Sequence, residues 1–193
     1  MAFTNFMEHP LSQFKHCPKC GSAHFEINNE KSKRCCDCGF VYYFNPSSAT
    51  VALIMNERNE LLVCRRAKEP AKGTLDLPGG FIDMAETGEE GVAREVKEET
   101  GMEVKKAEYL FSLPNLYVYS GFTVHTLDMF FRCSVADTLH YKAMDDAADL
   151  FFLPIKEIHT EDFGLGSIRK GLEIFLKRVE MPQEKVEKIT EKQ

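Results

Sequence analysis

The residues best suited to chemistry lie between Gly80 and Met102, a stretch dense in glutamate. Glu95, Glu98 and Glu99 are spaced i, i+3 and i+4, which places their carboxylates on one face if the segment is helical. Carboxylates this close repel one another unless a cation or a base lies among them, and such oxygen ligands suit Mg²⁺ or Mn²⁺. The alternative is a charged surface helix, because Glu-rich amphipathic helices are common.

Helix signals surround these glutamates. Thr87 is a good N-cap, and Glu90 three positions later completes a capping box. Gly101 predicts the C-terminal end of the helix. A second stripe of the helix is apolar and is expected to face a core. It consists of Val92, Ala93 and Val96.

Arg94 is expected to pair with Glu90 one turn earlier and with Glu86 in the preceding loop, which would hold the loop against the helix. The whole stretch resembles the Nudix box, Gly-x5-Glu-x7-Arg-Glu-(apolar)-x-Glu-Glu-x-Gly-(apolar), and fills every specified position. The matching residues are Gly80, Glu86, Arg94, Glu95, Val96, Glu98, Glu99, Gly101 and Met102. The resemblance implies a pyrophosphohydrolase that cleaves a nucleoside diphosphate linked to another group.

The same resemblance implies roles for particular residues. Mg²⁺ (or Mn²⁺) would be held by Glu95, Glu98, Glu99 and the carbonyl of Gly79. The general base would be either a box glutamate, with Glu95 as the candidate, or an acid on a later loop. Asp146 is the candidate there, beside Asp145 and Asp149. A solvated loop is the alternative interpretation of these aspartates.

Four of the seven cysteines have the spacing of metal ligands. Cys17 and Cys20 form one C-x-x-C-Gly segment, and Cys35 and Cys38 form another. This pattern predicts a tetrahedral, structural Zn²⁺ site in a zinc ribbon, with iron or disulfides as alternatives. Cys36 is an alternative to Cys35, but only Cys35 gives the C-x-x-C spacing with Cys38.

A zinc ribbon directly before a Nudix domain resembles the NADH pyrophosphatase subgroup. That subgroup carries Ser-Gln-Pro-Trp-Pro-Phe-Pro after the box, whereas this chain has Ser112-Leu-Pro-Asn-Leu-Tyr117, and it has no tryptophan. NAD(H) and ADP-ribose therefore both stay open as substrates. Candidate substrate contacts are Phe81, Tyr117 and Arg65, with Tyr119 as a further aromatic residue; core packing is the alternative for each ring.

A function of another class is a non-catalytic sensor of nucleotide sugars. Nudix sensors tend to lose box glutamates and to gain a DNA-binding domain. Here every box glutamate is present and no basic helix-turn-helix is visible. The sequence therefore favours a hydrolase.

Length and composition fit one main domain with a small appendage. The chain has 193 residues, an apolar share of 44% and a net charge of −6, which argues against binding nucleic acid through its phosphates. No membrane span or secretory signal is evident, so we expect a cytoplasmic protein. The resemblance suggests a homodimer, for which the run 40–44 offers an apolar surface; burial of that run within the chain is the simpler alternative.

We therefore expect an α/β protein: a Nudix α/β/α sandwich with a mixed β-sheet, preceded by a small zinc-ribbon β domain. The expected boundaries are an extension over 1–13, the zinc ribbon over 14–44, the Nudix domain over 45–180 and a charged tail over 181–193. Strands 48–55 and 60–65 are expected to pair as a hairpin. Further strands are expected over 105–113, 123–135 and 151–158, and a helix over 166–179.

Overall fold

A three-stranded antiparallel sheet organises the N-terminal part of the chain. The computed structural model describes residues 9–144 and 147–180, and the chain divides into two units, Met1–Pro46 and Ser47–Gln193. In the first unit β1 (Phe25–Asn29), β2 (Ser32–Cys35) and β3 (Val41–Tyr43) pair in that order. Its buried cluster is small: Cys17, Phe25 and Cys35, with Phe40 packed against them. A core of this size is too small to stabilise the unit by apolar burial alone.

In its described residues the second unit contains two three-stranded sheets, two α-helices and two short 3-10 helices, Ile155–Glu157 and Thr160–Asp162. Their bounds are β4 (Ser47–Leu53), β5 (Glu60–Arg66), β6 (Leu75–Asp76), α1 (Gly88–Thr100), β7 (Val104–Tyr119), β8 (Phe122–Val135), β9 (Ala147–Pro154) and α2 (Gly166–Glu180). One sheet has the order β4-β8-β7 and is mixed, because β4 runs parallel to β8 while β7 runs antiparallel to it. The other has the order β6-β5-β9 and is antiparallel.

Alternation along the strands divides the second unit's core between the two helices. Val51 and Phe130 pack in a cluster with Leu172 of α2, whereas their neighbours Ala52 and Phe131 pack with α1. Successive side chains of a strand point to opposite faces, so each face is covered by one helix. The predicted α/β/α sandwich with a mixed sheet is confirmed.

The predicted hairpin between strands 48–55 and 60–65 is wrong. The two strands share only a bridge between Met55 and Leu61, close to the turn. Beyond that bridge β4 joins the mixed sheet and β5 the antiparallel one. Adjacency in sequence favoured a hairpin. In the structure the two strands lie in different sheets, and residues of each strand contribute to both apolar clusters.

Helix α1 begins and ends where the sequence predicts. The Thr87 side chain accepts a hydrogen bond from the Glu90 backbone N–H, and the Glu90 carboxylate accepts one from the Thr87 backbone N–H. Gly101 is the C-cap, in the left-handed conformation. Val92 and Val96 are fully buried, so the helix presents a fixed face to the core and leaves its glutamates on another side.

Candidate active site and metal centre

Arg94 is the centre of the charged network on α1. Its Nε and Nη2 donate to the two oxygens of Glu86, each at 2.9 Å, and Nη2 also donates to the Phe81 carbonyl at 2.9 Å. Its Nη1 donates to Glu95 at 2.8 Å and to Glu98 at 3.1 Å. The carboxylate of Glu86 is the main cause of a raised Arg94 pKa. One guanidinium thus connects the loop before α1 with two of the helix glutamates.

The loop before α1 is held by Glu86. Besides its two bonds from Arg94, Glu86 accepts a hydrogen bond from the Asp83 backbone N–H at 2.9 Å. These donors hold the pKa of Glu86 below its usual value, with Arg94 as the main cause. The expected pairing of Arg94 with Glu86 is present, whereas the expected pairing with Glu90 is not, because the Glu90 carboxylate caps the helix.

The three glutamates predicted to hold metal have different partners. Glu95 and Glu98 both accept from Arg94, and Glu99 accepts from the Gly79 backbone N–H at 3.0 Å. Burial raises the pKa of Glu95, while the side chain of Glu98 is about half exposed (52%). One donor thus binds an oxygen of each glutamate, but the three carboxylates do not come together as a ligand group among the described residues, as the four cysteines do.

The segment from Pro78 to Gly80 brings backbone close to these carboxylates. The carbonyls of Pro78 and Gly80 accept from the N–H groups of Ala52 and Thr50 at 2.7 and 2.8 Å, which fastens the segment to β4. Gly79 has a φ of 149°, and a Cβ there would lie 2.1 Å from the Thr50 carbonyl oxygen. Gly79 therefore needs glycine, whereas a Cβ at Gly80 would lie 2.6 Å from the Glu95 carboxylate and would displace that side chain.

A cavity of about 340 Å³ opens beside this segment. Gly79, Gly80 and Glu99 form one part of its wall, so the cavity is continuous with the glutamate face. The mixed sheet, the antiparallel sheet, the loop after β5 and the start of α2 supply the rest. Its other polar or aromatic lining residues are Thr50, Arg66, Lys68, Glu69, Asp76, Phe81, Asn115, Tyr119, Thr126 and Asp128. A volume of this order suits a small-molecule ligand.

The predicted substrate contacts have different outcomes. Phe81 lines the cavity and is 46% exposed. Tyr117 lies on β7 opposite Val124, and its side chain is outside the described set. Arg65 does not line the cavity: its Nη1 donates to the Gly73 carbonyl at 2.8 Å. Its neighbour Arg66 does, because consecutive strand residues point to opposite faces.

Of the three aspartates considered as bases beyond the box, the structure describes only Asp149. Asp145 and Asp146 lie outside the described residues. Asp149 pairs with Arg65 across β5 and β9, so it lies on the same strand face as Arg65 and not on the face of Arg66. Asp149 is therefore placed away from the cavity wall.

Several cavity residues were missed by the sequence interpretation. Arg66 binds the buried carboxylate of Asp76 at 2.5 Å, and burial raises the Asp76 pKa while Arg66 opposes that effect. On β8, Asp128 accepts hydrogen bonds from Thr126 and Ser167, each at 2.5 Å, and is 5% exposed. The sequence did contain a signal for this site, because Asp128 interrupts the otherwise apolar run around Phe130.

The four cysteine sulfurs of the first unit come together. The Sγ atoms of Cys17, Cys20, Cys35 and Cys38 all lie within 4.8 Å of one another, with Cys17–Cys38 and Cys20–Cys35 at 3.7 Å. A tetrahedral site with metal–sulfur bonds of about 2.3 Å separates its sulfurs by about 3.8 Å, so the cluster can hold a metal ion. Within 9–144 and 147–180 this is the only such group of three or more His, Cys, Asp or Glu ligands.

Two matching turns shape the cysteine cluster. The N–H of Gly21 donates to the Cys17 carbonyl at 2.8 Å, and the N–H of Gly39 donates to the Cys35 carbonyl at 3.0 Å. The backbone N–H of Cys38 is the main cause that lowers the pKa of the Cys35 thiol to about 6. Cys36 is exposed and lies outside the cluster, whereas Cys35 lies within it.

None of the helices in the described ranges combines the length and the apolar character that a membrane crossing requires.

Comparison with known proteins identifies the second unit. The sequence model of the NUDIX domain matches residues 45–171. The chain is 32% identical over 106 residues to the NAD-capped RNA hydrolase NudC of Vibrio parahaemolyticus, a match that covers 55% of this chain and 40% of that protein. It is 34% identical over 118 residues to the ADP-ribose pyrophosphatase of Methanocaldococcus jannaschii, covering 60% of this chain and 66% of that protein.

The fold comparison agrees. A crystal structure of a NUDIX hydrolase from Nitrosomonas europaea superposes with a TM-score of 0.67 and 25% identity, covering 84% of this chain and 90% of that one. The chain thus spans well under half the length of its NudC relative but most of this solved structure.

Proposed function

This chain belongs to the NUDIX family, and we propose that it is a Mg²⁺-dependent pyrophosphohydrolase that cleaves the diphosphate of a nucleoside diphosphate linked to another group. NAD(H) and ADP-ribose are the proposed substrates, because the two relatives above are named for an NAD-capped RNA and for ADP-ribose. The observation that carries the proposal is the Arg94-centred network beside a cavity of about 340 Å³.

The donor set fits a hard divalent cation. Glu95, Glu98 and Glu99 offer carboxylate oxygens from one side of α1. The Gly79 carbonyl accepts no hydrogen bond from the described residues, whereas the carbonyls on either side of it are bound to β4. An all-oxygen set of this kind is the one that Mg²⁺ or Mn²⁺ prefers. When bound there, the metal would neutralise the diphosphate and lower the pKa of the attacking water.

The protein's own residues supply orientation and proton transfer. Arg94 and the Gly79 N–H fix one oxygen of each glutamate, so the carboxylates do not reorganise during the reaction. Glu95 is the proposed general base, since its side chain is 16% exposed and burial raises its pKa, which favours taking a proton. Arg66, beside Asp76 on the cavity wall, is placed to bind a phosphate. Water adds across the anhydride, one P–O bond breaks, and two phosphate monoesters leave.

Asp146 stays a predicted alternative base. It lies in the segment between 144 and 147 that the structure does not describe, so only kinetics can separate it from Glu95. If Asp146→Asn lowers kcat more than Glu95→Gln does, the base is Asp146.

We propose that the cysteine cluster holds structural Zn²⁺. Four thiolates at tetrahedral separations suit zinc, and a closed four-cysteine site has no position left for a substrate. The metal would then stabilise a unit whose described apolar core is only a few side chains.

The test is turnover on a substrate panel with Mg²⁺. NADH, NAD⁺, ADP-ribose, an NAD-capped RNA oligonucleotide, diadenosine polyphosphates and sugar nucleotides would be supplied, and release of AMP or other monophosphates measured. We expect Glu95→Gln to lower kcat by about 10²–10⁴-fold. Glu89→Gln, an exposed change on the first turn of the same helix, is the matched control and should leave kcat unchanged.

Failure would be informative in a different way. Binding of ADP-ribose without turnover of any member of the panel would favour the second candidate, a non-catalytic sensor of nucleotide sugars. Near-normal turnover by Glu95→Gln would reject Glu95 as the base while leaving the hydrolase in place.

A further inference from the structure

A polar patch interrupts the apolar face of the mixed sheet where that face lines the cavity. Asp128 pairs in register with Ala49 on β4 and Leu113 on β7, and Thr126 pairs with Asn115. Thr126, Asp128 and Phe130 alternate along β8, so they share one face. Phe130 belongs to the buried core, whereas Thr126, Asp128 and Asn115 line the cavity. Polar residues at core-facing positions commonly mark functional sites.

Asp128 is costly to the fold at this position. It is 5% exposed, and within 9–144 and 147–180 no lysine, arginine or histidine forms an ion pair with it. Its partners are two hydroxyls: Thr126 Oγ1 donates to Oδ1 and Ser167 Oγ to Oδ2. Burying a carboxylate without a cation costs more folding free energy than burying a neutral residue. The nearby N-terminus of α2 offsets part of that free energy.

The hydrogen-bond directions define what the patch can bind. Both hydroxyl protons point at Asp128, so Thr126 Oγ1 and the carboxylate itself offer only lone pairs to the cavity. Acceptors of this kind bind hydrogen-bond donors and repel phosphate. The cations of the cavity wall, Arg66 and Lys68, come from β5 and the loop that follows it. These cations lie beside the carboxylates of Glu69 and Asp76, and Arg66 is paired with Asp76, whereas the mixed sheet contributes no cation to the described lining.

We propose that the Asp128–Thr126 patch determines specificity by binding hydrogen-bond donors of the nucleoside, while the diphosphate lies toward Glu99 and Arg66. This inference rests on the proposed function. Two groups of an adenosine offer the required chemistry: the exocyclic amine of the base and the hydroxyls of the ribose. Phe81 and Tyr119, both exposed and on the same cavity, supply rings on which a base can stack.

The primary test is Asp128→Asn, which keeps the shape and removes the charge. Asn accepts from one hydroxyl and donates to the other, so the variant should fold. We expect KM for ADP-ribose to rise about 10- to 100-fold, the usual effect of losing a hydrogen bond to a charged group, with kcat within about twofold. Asp137→Asn, the same change at an exposed site, is the matched control and should alter neither value.

Substrate analogues distinguish the two donors. Inosine diphosphate ribose lacks the amine, and 2′-deoxy or 3′-deoxy ADP-ribose lacks a hydroxyl. The wild type should discriminate against one of these classes, and Asp128→Asn should lose that discrimination. A wild type that accepts all the analogues equally would contradict the proposal.

A structural role makes a different prediction. If Asp128 only anchors α2 through Ser167, Asp128→Asn will lower the melting temperature and leave KM unchanged, which would overturn the proposal. If Asp128→Asn does not fold, Ser167→Ala replaces it as the test. Ser167 lies outside the cavity lining, and its loss removes one hydrogen bond to the Asp128 carboxylate. An unchanged KM in Ser167→Ala would count against the proposal.

The proposed function can fail separately. If the wild type hydrolyses no member of the panel, titration calorimetry with ADP-ribose replaces kinetics. Binding that weakens about tenfold or more in Asp128→Asn would keep the specificity patch and reject the hydrolase. Equal binding by both proteins would reject the patch.

Discussion

The cysteine cluster and the glutamate site arrange their side chains in opposite ways, since only the cysteines meet around one point among the described residues. The four sulfurs lie within 4.8 Å of one another. The glutamates are instead held from behind, by Arg94 and by the Gly79 N–H, at the edge of a cavity. The first arrangement is closed and suits a structural metal, whereas the second leaves room for a ligand.

The two units also differ in what stabilises them. Around the cysteine cluster the described buried apolar residues are few, so the proposed zinc would supply much of the stability that a core supplies elsewhere. In the second unit two large apolar clusters pack against α1 and α2, so the glutamate site rests on an extensive apolar core. The open site therefore lies on a unit with its own large apolar core, and the closed cluster lies in a unit with a small one.

The largest expected effect is on the closed cluster. Cys35→Ser removes one of four ligands, and structural zinc in such sites is worth about 10 kcal/mol or more of folding free energy. We expect loss of bound zinc by native mass spectrometry and rapid hydrogen exchange over 15–44. The segment 47–180 should keep its exchange protection. Cys36→Ser, at the exposed neighbour outside the cluster, is the control and should keep the metal.

Loss of hydrogen-exchange protection in both units after Cys35→Ser would contradict this prediction, because it would show that the second unit depends on the metal. Retained zinc in Cys35→Ser with loss in Cys36→Ser would reverse the ligand assignment.

An intermediate effect is expected in the apolar core. Leu172 of α2 is fully buried, and Leu172→Ala should cost about 2–5 kcal/mol of unfolding free energy through lost burial and a cavity. Leu139→Ala is the same change at a side chain that is 82% exposed, and should cost well under 1 kcal/mol, roughly the surface value. Denaturant unfolding followed by hydrogen exchange would measure both. Equal costs would mean that the cluster against α2 does not carry the unit's stability.

The smallest effect on stability is expected at the glutamate site. Arg94→Lys keeps the charge but loses the two parallel bonds to Glu86, so we expect a cost of about 2 kcal/mol and a lower kcat/KM. Arg58→Lys changes a largely exposed arginine paired with Glu60 and is the matched control. Unfolding and kinetics on the same samples would show whether Arg94 serves the fold, the site or both. Wild-type kcat/KM in Arg94→Lys would reject its role in orienting the glutamates.

Local features of the fold were readable from the residues. The capping box at Thr87, the helix end at Gly101 and the buried stripe of α1 depend on neighbours within one turn, so spacing was sufficient. The pairing of strands 48–55 and 60–65 could not be read from the residues, because the choice of a partner strand is non-local. Strand β4 pairs with β8, more than seventy residues away in sequence.

The site divides in the same way. The box residues and the cysteine spacing are short-range patterns, and the structure places both sets as units. The cavity wall is assembled from separate strands, so Arg66 and Asp128 were missed, and Arg65, a candidate substrate contact, does not line the cavity. Which of two adjacent arginines lines a cavity depends on strand orientation, and that orientation is decided only when the sheet forms.

The sequence by itself determined the family, the helix that carries the glutamates and the cysteines that meet in the first unit, because each depends on spacing along the chain. Only the tertiary structure decided which carboxylates Arg94 binds, which side chains line the cavity and that Asp128 meets Ser167 across 39 positions. Those contacts arise where distant strands and helices pack, and burial of apolar surface, rather than local spacing, selects them.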